Sequence, residues 1–365
     1  MGTLARSSEN NSLWLKSRGW DLTWISGSAL VLALPYTLYF LGERLGLSQD
    51  DARNGVNILV AFLIGGPHMY ATHMRSTFDP AFRQRHRSIY LAAIIIPAVV
   101  LTLGYYNFVL LLTFFFFWAS VHVLHQIVYI VDCYHGRAPR VETTQSKMID
   151  YAVVLTALYP VAMYRFVHGT FTVGPNLLYF PPFLKFDAVW YLSSAIFATA
   201  LTLFISKTYR EFRTGQGNLP KTILIGVTAV ATFITPFFHE LDVAFQGLNT
   251  WHSIQYLGLT WYVSRLRYER GDFPRKISVL LRPGEWWRFY GFNILLNFTT
   301  LIPFGILLLT RSQTGLGFDQ CYYLVVLCFL LTHYYHDHIL FSEQTDLGFA
   351  PVRSDVGMQL SPQAQ

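Results

Sequence analysis

The sequence predicts an all-α fold, a polytopic transmembrane helix bundle of about ten spans. Three observations carry that expectation. The 365 residues are 53% hydrophobic and only 13% charged, whereas soluble domains carry about 25% charged residues. Runs such as 91–106 and 108–121 are too apolar and too closely spaced for a water-soluble fold. The basic residues, finally, fall in alternate loops.

The segments in order are 20–42, 55–75, 88–104, 107–132, 148–167, 187–207, 220–236, 243–266, 288–310 and 318–341. Each approaches the ~20 residues that a bilayer requires. The third and fourth contain the two most apolar runs. The fifth and sixth flank a loop, 169–186, rich in Pro, Gly and aromatics, a composition suited to a cap at the interface or folded over the bundle. The seventh ends or kinks at Pro236, and the eighth starts somewhere between Phe238 and Asn249. With ten spans and both ends inside, inner segments hold 22 of the 27 Lys and Arg. The outer loops hold Arg44, Arg53, Arg165, Lys185 and Arg311. This places both termini in the cytoplasm, in a bacterial inner membrane.

Residues 1–349 read as a single transmembrane metal-binding domain, and 350–365 as a disordered cytoplasmic tail. The N-terminus lacks the ordered features of a cleavable signal. The net charge of +6 orients helices and is no footprint for phosphate chains, so nucleic acid is not an expected partner. Cys133, Cys321 and Cys328 show no CxxC pairing and read as reduced packing residues.

Four spans stack histidines: His68 and His73; His122 and His125; His252; and His333, His336 and His338. Imidazole in an apolar helix is costly without a partner, and it is the commonest metal ligand. His68, His122 and His333 lie about thirteen to fifteen residues into their spans, so at about 1.5 Å per residue they share one level. His252 joins them if its helix starts early. His122 and His125 are three apart, with Gln126 at four. His333 and His336 repeat the spacing with Asp337 at four, and His252 repeats it with Gln255, followed by Tyr256. His73, about 140° from His68, flanks the same site only if the turn loosens or the site lies across the helix end. The expectation is therefore one cavity holding His68, His73, His122, His125, His252, His333 and His336, with Asp337 and His338 as further ligands. His86 and His135 read as surface residues, His168 as interfacial, and His239, with Glu240 and Asp242, as an outer-side residue for which an entrance or proton path is the lesser alternative.

A nitrogen-rich set with a carboxylate and no thiolate favours iron, zinc or copper. Eight histidines exceed one tetrahedral zinc, so two metals or one metal with a dense surround fit better. The boxes resemble those of the integral-membrane non-haem di-iron desaturases and hydroxylases, known by HxxxxH, HxxHH and a second HxxHH. His68 and His73 match the first box. His122 and His125 match the second, with Gln126 in place of its last histidine. His333 and His336 match the third, with Asp337 in that place and His338 following. His252 stands where such enzymes often carry an additional ligand. The family usually has four to six spans, and its boxes lie in cytoplasmic helix extensions. The resemblance implies two iron ions and oxygen-dependent hydroxylation or desaturation of a lipid-like substrate. Gln126, Gln255 and Tyr256, with Tyr335, would supply hydrogen bonds around the reacting centre. No flavin, nicotinamide or iron–sulfur motif is visible, so electrons would come from a separate protein. A haem cytochrome and a metal or proton transporter are the competing readings. The first is disfavoured by convergent spacing on single helices, the second by the absence of a visible repeat.

Overall fold

The computed structural model describes residues 13–342 apart from Pro139, Asp272 and Pro283. The tail 350–365 lies outside the described residues. Eight helices among the described residues are long and apolar enough to cross a membrane. They are α1 (Arg18–Arg44), α2 (Gln49–Arg75), α3 (Ser88–Tyr106), α4 (Phe108–His135), α7 (Asp187–Arg213), α8 (Leu219–Phe237), α10 (Trp286–Leu309) and α11 (Phe318–Ser342). Between α4 and α7 the chain forms two half-helices, α5 (Thr144–Thr156) and α6 (Tyr159–Val167). The break precedes Pro160, which has no N–H to donate and sits in the first turn of α6. Helix α9 (Leu241–Arg270) has the length but carries Asp242, Gln246, Asn249, His252 and Gln255 along its first half. These two segments account for the difference between eight helices and the ten segments expected from sequence.

Helix starts follow local chemistry. Ser48, Asn107, Thr143 and Asn218 each accept a backbone N–H from the first turn of α2, α4, α5 and α8. Helix α8 gives way to a 3₁₀ turn at Thr235–Phe237, where Pro236 stands. The 30-residue α9 then runs until Gly271, whose φ of 80° stops it in the left-handed region that glycine adopts without strain.

Two helices contain π-turns, at Leu22–Ser26 in α1 and Ala61–Gly65 in α2. A π-turn frees carbonyls that need new donors in an apolar interior. Gln255 Nε2 donates to Ile25 O at 2.5 Å, and Asn297 Nδ2 to Ala61 O at 2.9 Å. Gly66 is required here, because a Cβ would collide with the Asn297 amide.

Helices α2, α4, α9 and α11 form the centre. Ring pairs Phe115–Tyr323 and His125–Phe341 show that α4 and α11 run in the same direction. His122–His252 with Phe115–Phe245 show the same for α4 and α9, and the hydrogen bonds Asn57–Gln246 and Thr72–Tyr256 show it for α2 and α9. One apolar core lies toward the N-terminal ends of these helices, around Leu111, Phe115, Tyr323 and Leu327. Another lies toward their C-terminal ends, around Leu124, Tyr129, Trp251 and Val263. Helices α3 and α7 are peripheral: 17% and 11% of their most apolar stretch is buried, against 61% in α2. Leu91, Ile94, Leu192 and Ile205 there are exposed apolar groups of the kind that face a membrane or a partner surface.

The loop 169–186 folds back over the bundle. A two-stranded turn pairs Thr172–Val173 with Asn176–Leu177, and Phe171 stacks on Phe166 with centroids 4.1 Å apart. Tyr179 N donates to Thr113 Oγ1 of α4 at 2.9 Å. His168 sits exposed at the end of α6 with its ring against Tyr164, and the His239 side chain is 92% exposed. Cys133, Cys321 and Cys328 are free.

His135 is not the surface residue expected from its loop-like surroundings. It ends α4 buried, with Nε2 3.1 Å from Asp150 Oδ2. Lys207 and Lys221 reach the same carboxylate oxygen at 2.6 and 3.0 Å, and Lys221 also reaches Glu142 at 2.5 Å. The network ties α4, α5, α7 and α8 together at one end. Burial alone would raise the Glu142 carboxyl, but Lys221, His135 and Lys207 together outweigh burial and hold it below its usual range. At the opposite end Arg53, expected in a loop, is buried between Asp242 (3.2 Å) and Asp319 (3.3 Å), joining α2, α9 and α11.

Removing one partner of such a network leaves buried charge uncompensated. Asp150→Asn is expected to destabilise the detergent-solubilised protein by about 3–5 kcal/mol, read as a lower melting temperature. Glu142→Gln should lower it less at neutral pH. A carboxyl depressed by folding stabilises only while ionised, so the gap to the parent protein should close as pH falls through the carboxylate range.

Candidate metal centre

Each of the four central helices brings one histidine to a common level. His68 of α2, His122 of α4, His252 of α9 and His333 of α11 are all buried. Each offers a ring nitrogen within 4.8 Å of the other three. The Nε2 atoms of His122 and His252 are 3.2 Å apart. His68 stands edge-on to His252 and His333, with centroids 4.7 and 4.4 Å away. Tyr334 stacks on the His122 ring at 3.8 Å and fixes its plane.

Asp337, one turn beyond His333, completes the set. Its Oδ2 lies 3.5 Å from His333 Nε2 and 3.9 Å from His122 Nε2. Its Oδ1 accepts from Tyr256 OH at 2.6 Å and from Thr72 Oγ1 at 3.0 Å. Thr72 Oγ1 is also 2.7 Å from His333 Nδ1. A consistent proton assignment has His333 Nδ1–H donating to Thr72, and both Thr72 and Tyr256 donating to Asp337 Oδ1. That leaves the His333 Nε2 lone pair uncommitted. On His68, Nδ1 donates to Gly65 O at 3.3 Å, which again leaves Nε2.

The leftover atoms are the chemical signature of the site. His68 Nε2, His333 Nε2, His252 Nδ1 and Asp337 Oδ2 are buried without a hydrogen-bond partner. Orphaned buried polar atoms are rare and each costs about 1–3 kcal/mol. Four neutral imidazoles and one carboxylate facing one another are the donor set of a metal ion, and a cation would satisfy them together. These residues therefore fit a metal. Five donors are one more than the four of a structural tetrahedral zinc.

The expected site residues separate into three groups. His68, His122, His252 and His333 come together, with Asp337. His73 and His336 form a second pair, centroids 5.7 Å apart. Their Nδ1 atoms are held by Thr77 Oγ1 at 2.8 Å and Ser76 Oγ at 3.1 Å, and His336 Nε2 is again without a partner. His125 and His338 pair at 5.5 Å beside Phe341; His125 is half-buried and His338 exposed. The helix explains the split. Residues three apart are rotated about 60° and displaced ~4.5 Å, so only one of such a pair reaches a point-like centre. Asp337, four after His333, is rotated by only about 40° and does reach it. The π-turn of α2 lies before His68, not between His68 and His73. His73 accordingly meets His336 instead of the four-histidine group.

Gln126 and Gln255 do not face the cluster. Gln126 Nε2 donates to the His252 carbonyl at 3.1 Å and to Gln255 Oε1 at 3.3 Å, and Gln255 braces Ile25 O. They fix the backbone of α9 at its ligand. Tyr256 acts on Asp337. Tyr335 turns away and packs with Phe82 and Leu340. Thr72, Ser76 and Tyr334 were not anticipated. Thr72 follows His68 by four, and that same-face spacing was the available signal.

The last position of the HxxHH spacing is Gln126 in one place and Asp337 in the other, and the two are used differently: an amide on the backbone and a carboxylate among the imidazoles. No family model, curated protein or solved structure matches this chain.

Thr72 orients both a histidine and the carboxylate. Thr72→Val is expected to weaken metal binding by about 10–100-fold, the usual cost of losing an outer hydrogen bond to a ligand. Thr72→Ser should restore it. Competition with a chelator of known affinity measures both, and equal affinities for the two variants would remove Thr72 from the site.

Proposed function

We propose that this chain is a membrane-embedded metalloenzyme that uses non-haem iron, two ions in the full site, for oxygen-dependent hydroxylation or desaturation of a lipid-like substrate. One observation carries the metal: four buried imidazoles and a carboxylate converge, and His68, His252, His333 and Asp337 each keep a buried nitrogen or oxygen without a partner. One ion belongs to His68, His122, His252, His333 and Asp337. The second belongs to His73 and His336, and His336 Nε2 is likewise buried without a partner. Iron would supply dioxygen activation, which zinc in the same ligands would not. The chain's own residues hold the ligand tautomers, position the carboxylate through Thr72 and Tyr256, and keep water out with the two apolar cores. A separate electron-donor protein would deliver reducing equivalents.

In the same reading the chain has ten spans. The α5–α6 pair crosses as a broken helix and α9 crosses with its polar face turned into the bundle. Both termini are cytoplasmic, in a bacterial inner membrane. The 22-to-5 split of basic residues supports that orientation. A bis-histidine haem fits the geometry poorly, because a porphyrin between any two of the four rings would displace the other two. A transporter has less support, since acidic groups within the central helices are already committed to Arg53 and to the cluster.

Elemental analysis of detergent-purified protein tests the metal. The expected result is two iron per chain and no haem absorption band. His122→Ala should abolish iron binding at the four-histidine group, and His336→Ala should reduce the content to one ion, with both proteins still folded. Stoichiometric haem, or full metal content in both variants, removes the proposal. Reporter fusions at Arg140 and Arg213 should read cytoplasmic and one at Lys185 external; a cytoplasmic Lys185 reverses the topology.

A further inference from the structure

Three ligands have a cavity-lining residue one helical turn before them. Gly65 precedes His68 by three, Asn249 precedes His252 by three, and Leu330 precedes His333 by three. All three residues border one cavity of about 60 Å³. Tyr334, stacked on His122, borders it too. The four helices run in one direction, so the cavity lies about one helical turn from the ligand plane on the side of their N-terminal ends. A water needs about 10–15 Å³ on this measure, so the space admits roughly four or five water-sized groups.

The walls select for apolar contents. Phe115, Phe116, Phe245, Phe304 and Leu327 supply most of the surface. The Asp242 carboxylate at the wall is paired with Arg53 at 3.2 Å, and the amides there have their donors engaged elsewhere. Asn249 Nδ2 donates to Gln246 Oε1 at 3.0 Å, Gln246 Nε2 to Asn57 Oδ1 at 2.9 Å, and Asn297 Nδ2 to the π-turn carbonyl of Ala61. Thr300 Oγ1 pairs with Tyr70 OH at 2.8 Å. One wall reaches the apolar surface of the bundle at Ile58, which is 38% exposed, beside Leu301.

We propose that this cavity, held one turn from His68, His252 and His333 by Gly65, Asn249 and Leu330, is the reactant chamber of the metal centre and takes a small apolar molecule or the end of a hydrocarbon chain. It rests on the reading of the histidine cluster as a metal centre. A bulky lipid does not fit bodily; only a few terminal atoms reach the ligand plane, admitted sideways past Ile58. Dioxygen and a chain end share the required chemistry.

Xenon is the probe, because it occupies small apolar cavities and needs no metal. In full-length protein in detergent, ¹²⁹Xe NMR should show one saturable site. Val326→Phe and Leu330→Phe, which fill the chamber, should each weaken xenon binding at least tenfold. Phe304→Ala should admit benzene, which the parent protein excludes. No saturable xenon in the parent, or binding unchanged in both filling variants, overturns the proposal. Hexadecane separates the sources. If it displaces xenon in the parent but not in Ile58→Trp, a chain end enters laterally; if it never displaces xenon, the occupant is a free small molecule. His122→Ala should keep its xenon while losing metal. A failed chamber and a failed metal centre therefore give different results.

Discussion

Everything else in this structure answers to the packing of four neutral imidazoles and a carboxylate at one level of an apolar bundle. An uncompensated polar group there costs several kcal/mol, so the helices that carry these groups must agree in depth, direction and rotation. Helices α2, α4, α9 and α11 do agree. They run in one direction, and the mutual 4.8 Å limit on the four ring nitrogens leaves little freedom to any of them. The remaining helices wrap this centre and face outward with apolar side chains.

The demands of the centre propagate along the backbone. Two π-turns change helix phase near the site, and each releases carbonyls that amides on neighbouring helices satisfy. Gln255 serves α1 and Asn297 serves α2. Glutamines and asparagines in apolar helices, which taken alone invite a catalytic reading, are here the cost of bending a helix in an interior without water. Tyr256 and Thr72 are the exceptions. They touch the carboxylate and through it bear on any ion held there.

The ends of the bundle are fastened by charge as well as by apolar packing. Asp150 receives Lys207, Lys221 and His135 at one end, and Arg53 receives Asp242 and Asp319 at the other. These networks hold helix ends in register around the site. They also explain why a count of basic residues by loop is an imperfect guide to solvent exposure: Arg53, Lys207 and Lys221 are buried partners, not loop charges.

The sequence by itself determined the helical class, the position of nearly every long segment and the level at which the histidines meet. Hydropathy and rise per residue depend only on local order, and both are strong in this chain. His68, His122, His252, His333 and Asp337 were all legible as candidates on that basis. What only the tertiary structure decided is which histidines share a centre. A three-residue spacing leaves about 60° of rotation undetermined, and the five-residue spacing of His68 and His73 sets them about 140° apart with no loosened turn between them. So His125 went to His338 and His73 to His336, Gln126 and Gln255 turned to backbone carbonyls, and His135 was drawn into a buried ion network. Thr72 stayed hidden for the same reason: a threonine in an apolar helix acquires its role only from the aspartate and histidine that another helix places against it.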